Sequence, residues 1–344
     1  MTMTAGLDVG GAHLKVALVE GDRVVAVRQI ACPLWQGLDR LDAALAEAAP
    51  LIARAHRFGV TMTGELSDLF PDRETGVATL VARLAAELGE DAQFWMGPRG
   101  FGGADDARRH HRDVGSTNFL ATATLVGRNI TDALLIDFGS TTADIVPIAG
   151  GVPRPRGLTD ADRQATGELV YTGFTRTGVM GIASEAPFRG QRVGLAREYL
   201  ATMADVRRIL GDDLSEVDQH AAADGKGKSV AESVTRLARM LGRDGRDGSA
   251  KDWRAVAAHL REVQLRSIHD GAALVASAAA LPDDAPVVAA GIGAGEVVEV
   301  ARRLGRAAIG FGALAGADGA LDAWAAAAAP AVAVAHLLDA AAIS

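Results

Sequence analysis

The sequence predicts an α/β protein in which one supersecondary unit occurs twice. Segments with the two-residue apolar period of strands, such as residues 13–19, alternate with segments of helical spacing, such as residues 38–56. The chain opens with a strand, a turn of small residues and a second strand, and the same order returns at residues 133–148. The length of 344 residues corresponds to about two domains. We therefore expect two related α/β domains.

The first half begins with an antiparallel meander. Its strands, at residues 6–9, 13–19 and 24–30, are separated by tight turns that contain glycine. The elements expected after the meander are a helix at 38–56, a strand at 60–63, a helix at 74–88, a strand at 93–96 and a helix at 117–128.

The second half repeats the strand pair and then becomes mainly helical. Residues 189–192 have the composition of a loop. The regular elements expected here are strands at 133–138 and 142–148, helices at 204–210, 229–242 and 252–280, a strand at 286–290, a helix that ends near residue 304 and a short helix from Pro330.

Composition and charge exclude several classes of protein. A net charge of -8 argues against nucleic acid as the main partner. The single cysteine, Cys32, excludes an internal disulfide and a multi-cysteine zinc site. The alanine-rich stretch 323–342 is interrupted by Pro330, His336 and Asp339, which predicts a packed helix and no membrane span. With no secretory signal visible, we expect a cytoplasmic protein with no membrane partner.

The first candidate site is the glycine turn in the sequence LDVGGAHLKVALV near the N-terminus. Asp8 ends a buried strand, where its carboxylate can hold Mg²⁺ directly or through water. Gly10 and Gly11 let backbone amides approach an anion. His13 and Lys15 have the same parity in the next strand, so both can face one cleft. Taken alone, a plain β-hairpin with an aspartate at its turn explains the segment equally well.

The second candidate site, in the sequence ALLIDFGSTTADIVPI, repeats this design. Asp137 ends a hydrophobic strand, and Asp144 follows on the next one. The turn between them is small and rich in hydroxyl groups: Gly139, Ser140, Thr141 and Thr142. Two such hairpins that face each other would form a two-sided phosphate clamp, with Asp8 and Asp137 around one cation.

The third candidate site is a strand, a glycine-rich turn and a helix in the sequence APVVAAGIGAGEVVEVARRLG. The helix N-terminus after Gly291 and Gly293 favours a phosphate or an adenosine ribose. Glu296 and Val298 stand where the last glycine of a dinucleotide fingerprint would be, so that fingerprint is absent. Close packing of the helix on the strand is the alternative explanation of these glycines.

These three segments, in this order, resemble the actin-like ATPase superfamily. The resemblance implies two lobes with a ribonuclease H-like fold, each with a mixed five-stranded sheet, and a cleft between them. It implies that the two hairpins bind phosphates and that the turn with Gly291 and Gly293 holds adenosine. Residues 1–130 would form the first lobe and 131–324 the second, with a helical insert, and a C-terminal helix at 325–344 would pack back on the first lobe.

Further motifs resemble a narrower group, the hydantoinase/oxoprolinase-related proteins linked to the tetrahydromethanopterin one-carbon pathway. The motifs are GGAHLK, TMTGELSDLFPDRETGV, DVGSTNFLATA, FGSTTADI, TGELVYTGFTRTGV and DGKGKSVAESVTRLARMLGRD. The group includes a synthase of methanofuran and methylofuran biosynthesis. The resemblance implies a transferase in which an aminomethylfuran-methyl diphosphate loses pyrophosphate, while the phenol oxygen of a glutamyl-tyrosine or glutamyl-tyramine attacks the methylene carbon and forms an aryl ether. The chain is much shorter than full hydantoinases, which argues against hydantoin opening.

This chemistry suggests a role for each candidate residue. Asp8 and Asp137 would anchor Mg²⁺ on the donor's diphosphate, and Lys15 would neutralise the charge that develops on the leaving group. Phosphate oxygens would accept hydrogen bonds from Ser140, Thr141 and Thr142 and from backbone amides near Gly10, Gly11 and Gly139.

The base that takes the phenol proton has three candidates: Glu65, His13 and Asp144. We favour Glu65, since it follows a predicted strand and Asp68 lies within one turn of it. A charge pattern at a helix N-terminus is the alternative for this pair. Tyr171 is expected to stack on an aromatic substrate.

Two other functions use the same elements. In an ATP-dependent small-molecule kinase or ATPase, the hairpins would hold ATP phosphates and residues 291–295 its adenosine; the favoured transferase does not require ATP. In an actin-like regulator or assembly protein, the cleft would act as a nucleotide switch without turnover. The sequence leaves open whether the chain is a homo-oligomer.

Overall fold

The computed structural model describes residues 2–341 and contains two mixed β-sheets with helices packed against them. The strands are β1 (Met3–Val9), β2 (His13–Glu20), β3 (Arg23–Ala31), β4 (Arg57–Met62), β5 (Gln93–Trp95), β6 (Phe101–Gly102), β7 (Ala133–Phe138), β8 (Ala143–Ala149), β9 (Val152–Pro153), β10 (Leu169–Val170), β11 (Glu185–Phe188), β12 (Gln191–Gly194), β13 (Val287–Ala290) and β14 (Ala308–Gly310).

The helices connect these strands and form a helical region in the second half. They are α1 (Asp39–Ile52), α2 (Arg73–Leu88), α3 (Ala104–Arg109), α4 (His111–Val114), α5 (Asn118–Asn129), α6 (Asp160–Thr166), α7 (Met203–Leu210), α8 (Val230–Met240), α9 (Ala250–Ala278), α10 (Ala294–Arg303), α11 (Phe311–Leu314), α12 (Ala320–Ala327) and α13 (Ala329–Ala341).

The two sheets share one strand order. The first runs β3-β2-β1-β4-β5-β6, and the second runs β10-β8-β7-β13-β14 with β9 paired to β8. In each sheet the central strand has an antiparallel partner on one side and a parallel partner on the other. This duplicated order confirms the two-lobed actin-like fold. The first sheet has six strands where five were expected, because β6 adds a short strand at one edge. In the second sheet β8 pairs with two short strands, β9 and β10, on the side where β2 pairs with the single strand β3 in the first sheet.

The register places the two candidate hairpins in equivalent positions. In the first sheet Asp8 lies opposite Lys15 on the antiparallel neighbour. In the second sheet Asp137 lies opposite Asp144 in the same way. Each aspartate stands near the end of a central strand, so its carboxylate is positioned by hydrogen-bonded neighbours on both sides.

The core between the sheets is built largely by α5 and α13. Helix α13 packs on β1, β2 and β4, and α5 packs on β7 and β8 and against α13. Small side chains permit this close packing, since α13 is rich in buried alanine and valine. A hydrogen bond of 2.9 Å from the Thr4 hydroxyl to Asp339 fixes the helix against β1. The C-terminal helix therefore lies on the first sheet.

The structure differs from the sequence-based expectation at two further places. Residues 189–192 are not a loop throughout, since Arg189 (φ 48°) and Gly190 (φ 77°) form the tight turn of a β11–β12 hairpin. The alanine-rich C-terminal stretch is two helices, α12 and α13, with an angle of 93° between them. Residues 342–344 of the expected C-terminal helix lie outside the described residues. No single helix within residues 2–341 is long and apolar enough to cross a membrane, and only the bent α12–α13 pair has the length and composition.

Candidate active site

A cavity of about 300 Å³ lies where the two glycine hairpins meet. Twelve of the residues predicted from the sequence line it: Asp8, Gly10, Gly11, His13, Lys15, Asp137, Gly139, Ser140, Thr141, Thr142, Asp144 and Tyr171. The hairpins close in the same way, because Gly10 N donates to His13 O at 3.0 Å and Gly139 N donates to Thr142 O at 2.9 Å. The duplicated turns therefore share one crevice, as the two-sided clamp requires.

Two aspartates from the central strands line this cavity, Asp8 buried and Asp137 partly buried. Asp8 is 4% exposed, and its Oδ1 has no hydrogen-bond partner among the described residues. Burial raises the pKa of Asp8, although the Lys15 charge opposes the shift. Burial also raises the pKa of Asp137 to about 7; Lys15 opposes this shift, whereas Asp144 and Asp8 add to it. For both carboxyl groups burial therefore outweighs the Lys15 charge, and the pKa is raised.

These carboxylates fit the predicted Mg²⁺ site. An orphaned buried carboxylate oxygen is a suitable ligand for a hard cation, and Mg²⁺ is commonly held by one or two carboxylates together with substrate phosphates. Within residues 2–341 no group of three or more His, Cys, Asp or Glu side chains forms a metal cluster. The other ligands would therefore be substrate oxygens and water.

Lys15 supplies a free positive charge to the cavity. Its ammonium has no ion-pair partner among residues 2–341, although it acts on the pKa values of both Asp8 and Asp137. A compact ammonium group with no fixed carboxylate partner can bind an anionic group of a ligand.

The segment after β10 holds the second hairpin turn in place. Phe174 N donates to Gly139 O at 2.9 Å, and Arg176 N donates to Ser140 O at 3.0 Å. Gly173 packs so closely that a Cβ there would lie 2.1 Å from the Ser140 carbonyl oxygen. This position must be glycine for the turn to keep its shape.

Asp144, one candidate base, is already paired. Its Oδ1 accepts a hydrogen bond of 2.7 Å from Arg163, which is 2% exposed. The Arg163 guanidinium also lies 3.5 Å from the centre of the Phe119 ring. Asp144 lines the cavity, but its carboxylate is already held in an ion pair with Arg163.

The structure does not bring Glu65, the favoured base, to the cavity wall. Glu65 is fully buried, and its Oε1 accepts a hydrogen bond of 2.7 Å from the Ser116 hydroxyl, which itself lines the cavity. Burial raises the pKa of Glu65. The helix N-terminus lies elsewhere, because α2 begins at Arg73 and Asp72 caps it by accepting a hydrogen bond of 2.7 Å from Thr75 N. The role of Glu65 as the base stays a prediction.

The glycines of the third turn pack against β7, and they are not among the described residues that line the cavity. A Cβ at Gly291 would lie 2.3 Å from Phe138 O, and one at Gly293 would lie 2.4 Å from the Phe138 ring. Close packing of helix and strand, the alternative explanation, therefore accounts for both residues. The first turn of α10 also carries Glu296, which is paired with Arg207 and Arg261. The adenosine role stays a prediction that none of these contacts supports.

The sequence analysis missed several residues at the site, among them Arg176 and His220. Arg176 lines the cavity, and its Nη1 donates to Thr141 Oγ1 at 3.3 Å. His220 lies beside His13, with 4.7 Å between the ring centres. The arginine stands in the TGFTRTG motif, which marked the segment but not the residue. His220 lies in an irregular segment far along the chain, and nothing local in the sequence signals it.

Comparison with known proteins identifies the family. The family model described as hydantoinase/oxoprolinase matches residues 58–335. The chain belongs to the hydantoinase/oxoprolinase family. This family member is 32% identical over 240 residues, 70% of its length and 71% of the relative's, to the (4-{4-[2-(gamma-L-glutamylamino)ethyl]phenoxymethyl}furan-2-yl)methanamine synthase of Methanocaldococcus jannaschii.

Two further matches concern a second synthase and the fold. A synthase of the same name from Methanococcus vannielii is 32% identical over 121 residues, which are 35% of this family member and 54% of that relative. Among solved structures, nucleotide-free acetone carboxylase superposes with a TM-score of 0.56 and 11% identity, covering 96% of this chain and 70% of that one. The structural match shows the fold alone. The synthase relatives support an enzyme with small-molecule substrates.

Proposed function

We propose that the chain is a transferase that joins an aminomethylfuran-methyl diphosphate to the phenol oxygen of a glutamylated tyramine, in the biosynthesis of a methanofuran-type or methylofuran-type cofactor. One observation carries the proposal: two glycine hairpins and the free Lys15 ammonium face a single cavity in a chain related to a synthase whose named product contains a phenoxymethylfuran. A diphosphate group suits these hairpins, since glycine turns allow its close approach and the second turn adds hydroxyl donors.

The bonds and electrons of the proposed step balance without a redox partner. The bond between the furan's methylene carbon and the diphosphate oxygen breaks, and its electron pair leaves with the diphosphate. The phenol oxygen forms the new bond to the same carbon, and its proton passes to a base. The furan ring shares the positive charge that develops on the carbon, so bond breaking can run ahead of attack.

The chain's own residues would bind and orient the diphosphate. Lys15 would neutralise the charge that grows on the leaving oxygen, which is the interaction that strengthens most in the transition state. Ser140, Thr141 and Thr142 would donate hydrogen bonds to phosphate oxygens. Asp8 and Asp137 would hold Mg²⁺, which when bound makes the diphosphate a better leaving group.

The names of the relatives favour tyramine over tyrosine as the acceptor. Their product carries a 2-aminoethyl chain on the phenoxy ring, with one gamma-glutamyl group on its nitrogen. Tyramine has that chain, whereas tyrosine would add a carboxylate. We extend the preference for gamma-glutamyltyramine to this chain as part of the proposal.

The direct test is turnover by the purified protein. We expect the protein with Mg²⁺, the furan diphosphate and gamma-glutamyltyramine to form the ether and release pyrophosphate without ATP, as followed by mass spectrometry. The matched control omits the diphosphate from the furan. Conversion of ATP to ADP with no ether formed would contradict the proposal and indicate a kinase or ATPase. In a strain that lacks the gene, uncoupled furan and glutamyl-phenol compounds should accumulate.

A further inference from the structure

A second cavity, of about 190 Å³, adjoins the first. Arg176 lines both cavities and so marks their junction. Three aromatic residues line the second one: Trp35, Tyr199 and His220. Trp35 is 40% exposed and Tyr199 is 52% exposed, although large aromatic side chains are usually covered. Neither glycine hairpin contributes to this cavity, which therefore differs in chemistry from the diphosphate site.

The charges around the second cavity are paired, with one exception. Asp205 is bound by Arg236 at 2.7 Å, and Asp218 is bound by Arg208 and by Lys228. The exception is Arg176, whose guanidinium has no carboxylate partner among the described residues.

Arg176 is held instead by Thr141 of the second hairpin and by the Trp35 ring, 5.0 Å from its guanidinium carbon. An unpaired guanidinium at the junction favours electron-rich groups on either side. The rest of the cavity wall offers aromatic surface and no free charge.

A pair of neutral histidines lies between the two cavities. His13 lines the first and His220 lines the second. Burial, the neighbouring His220 and the charges of Lys15 and Arg176 lower the pKa of His13 to about 2. Burial and Arg176 also lower the pKa of His220. The Nε2 atom of each ring is buried without a hydrogen-bond partner among the described residues. Each ring therefore holds an unsatisfied nitrogen beside a cavity.

We propose that the second cavity binds the phenol ring of the acceptor, with its oxygen directed to His220 and to the first cavity. This inference rests on the proposed transferase function. A flat ring with one polar atom matches a cavity with aromatic walls and a lining histidine whose buried nitrogen is unpartnered. In the coupling step, the phenol oxygen bonds to the methylene carbon, the diphosphate leaves with the electron pair, and His220 Nε2 takes the phenol proton. A phenol that is losing its proton also gains from the nearby Arg176 charge.

Binding of the ring can be tested apart from turnover. We expect tyramine, added with Mg²⁺ and pyrophosphate, to change the fluorescence of Trp35, and the change to vanish in Trp35→Phe but to persist in Trp324→Phe, because Trp324 lines neither cavity. Tyr199→Ala should raise the acceptor's KM about fivefold to tenfold while the donor's KM stays the same. Leu274→Ala, which removes an equally exposed side chain (51%), should change neither value.

The role of His220 has a separate readout. We expect His220→Gln to lower kcat about a hundredfold or more with little change in the affinity for tyramine. Fluorinated tyramines, whose phenols are more acidic, need less help from a base. They should therefore recover much of the activity in His220→Gln but gain little in the unaltered protein. Equal loss with tyramine and with fluorinated tyramines would overturn the role of His220 as the base.

Failure of this inference can be told apart from failure of the proposed function. If the ether forms and Tyr199→Ala keeps the acceptor's KM, the acceptor site is wrong and the function stands. If no ether forms, the function is wrong, and the Trp35 signal still decides the site. Tyramine binding that depends on Trp35 and Tyr199 then supports a phenol site, and its absence overturns it.

Discussion

Asp144 occupies in the second hairpin the position that Lys15 occupies in the first. Lys15 lies opposite Asp8 across β1 and β2, and Asp144 lies opposite Asp137 across β7 and β8. Lys15 has no ion-pair partner in the described part of the chain, whereas Asp144 is bound by a buried arginine. The duplicated hairpins are therefore alike in backbone and different in charge, and of the two only the first carries an unpaired cation at this position.

Loss of that cation should affect chemistry more than folding. We expect Lys15→Ala to lower kcat about a hundredfold or more, because its unpaired ammonium lines the cavity on the hairpin that is proposed to hold the leaving diphosphate. Lys251→Ala, on an exposed stretch of α9, is the matched control. Steady-state kinetics with the furan diphosphate give the comparison. Turnover within a few-fold of the unaltered protein would refute the role of Lys15.

Removal of a buried carboxylate should separate stability from ligand binding. In Asp8→Asn the unpartnered Oδ1 charge is gone, so we expect the ligand-free protein to be as stable as the unaltered one or more stable. Mg²⁺ with pyrophosphate, at a hundred times its Kd, should stabilise the unaltered protein by about 2.7 kcal/mol. That gain should be largely lost in Asp8→Asn and retained in Asp22→Asn. Thermal unfolding with and without ligand measures it, and an equal gain in all three proteins would count against the metal site.

The buried His13 should make the fold sensitive to mild acid. Its folded-state pKa lies below the ordinary value, so the unfolded chain takes up the proton first as the pH falls. Stability should decrease below about pH 6.5, with His13 contributing a loss of roughly 1 kcal/mol by pH 5.5. His13→Gln should remove this contribution, whereas His56→Gln, at an exposed position, should keep it. Urea unfolding at pH 7.5 and 5.5 provides the values, and the same pH dependence in His13→Gln would show that the prediction is wrong.

The contact between Gly173 and the second hairpin turn should be intolerant of a side chain. A Cβ there would lie 2.1 Å from Ser140 O, so Gly173→Ala must displace the turn that is proposed to hold the diphosphate. We expect a loss of about 1–3 kcal/mol in the free energy of unfolding and a large loss of kcat/KM. Gly194→Ala, where a Cβ meets nothing within 4 Å, should be neutral. Normal activity in Gly173→Ala would mean that the turn has another way to bind its ligand.

The sequence was sufficient for the parts of the site that are local. Each hairpin is a strand, a glycine turn and a strand, so alternation and turn residues predicted both the elements and the residues at the cavity. The repeat of that unit, together with the family motifs, then led to the fold.

The parts of the site that depend on tertiary packing were not predicted. Arg176 and His220 reach the site from segments that have no regular pattern near them. Glu65 follows a strand as expected, yet its side chain is fully buried and accepts a hydrogen bond from Ser116. In a sequence, a glycine that lets a ligand approach looks the same as a glycine that packs against a neighbouring strand. Only the structure shows that Gly291 and Gly293 pack against Phe138. The lobe boundary at residue 130, a homo-oligomer and a cytoplasmic location stay predictions.

The central claim is that the phenol oxygen attacks the furan's methylene carbon as diphosphate leaves from the shared cavity. The most direct measurement uses gamma-glutamyltyramine labelled with ¹⁸O in its phenol and follows both products by mass spectrometry without ATP. The account predicts that the label is retained in the ether and that one unlabelled pyrophosphate is released for each ether formed. Label in the pyrophosphate, or ether formed only with ATP, would contradict it.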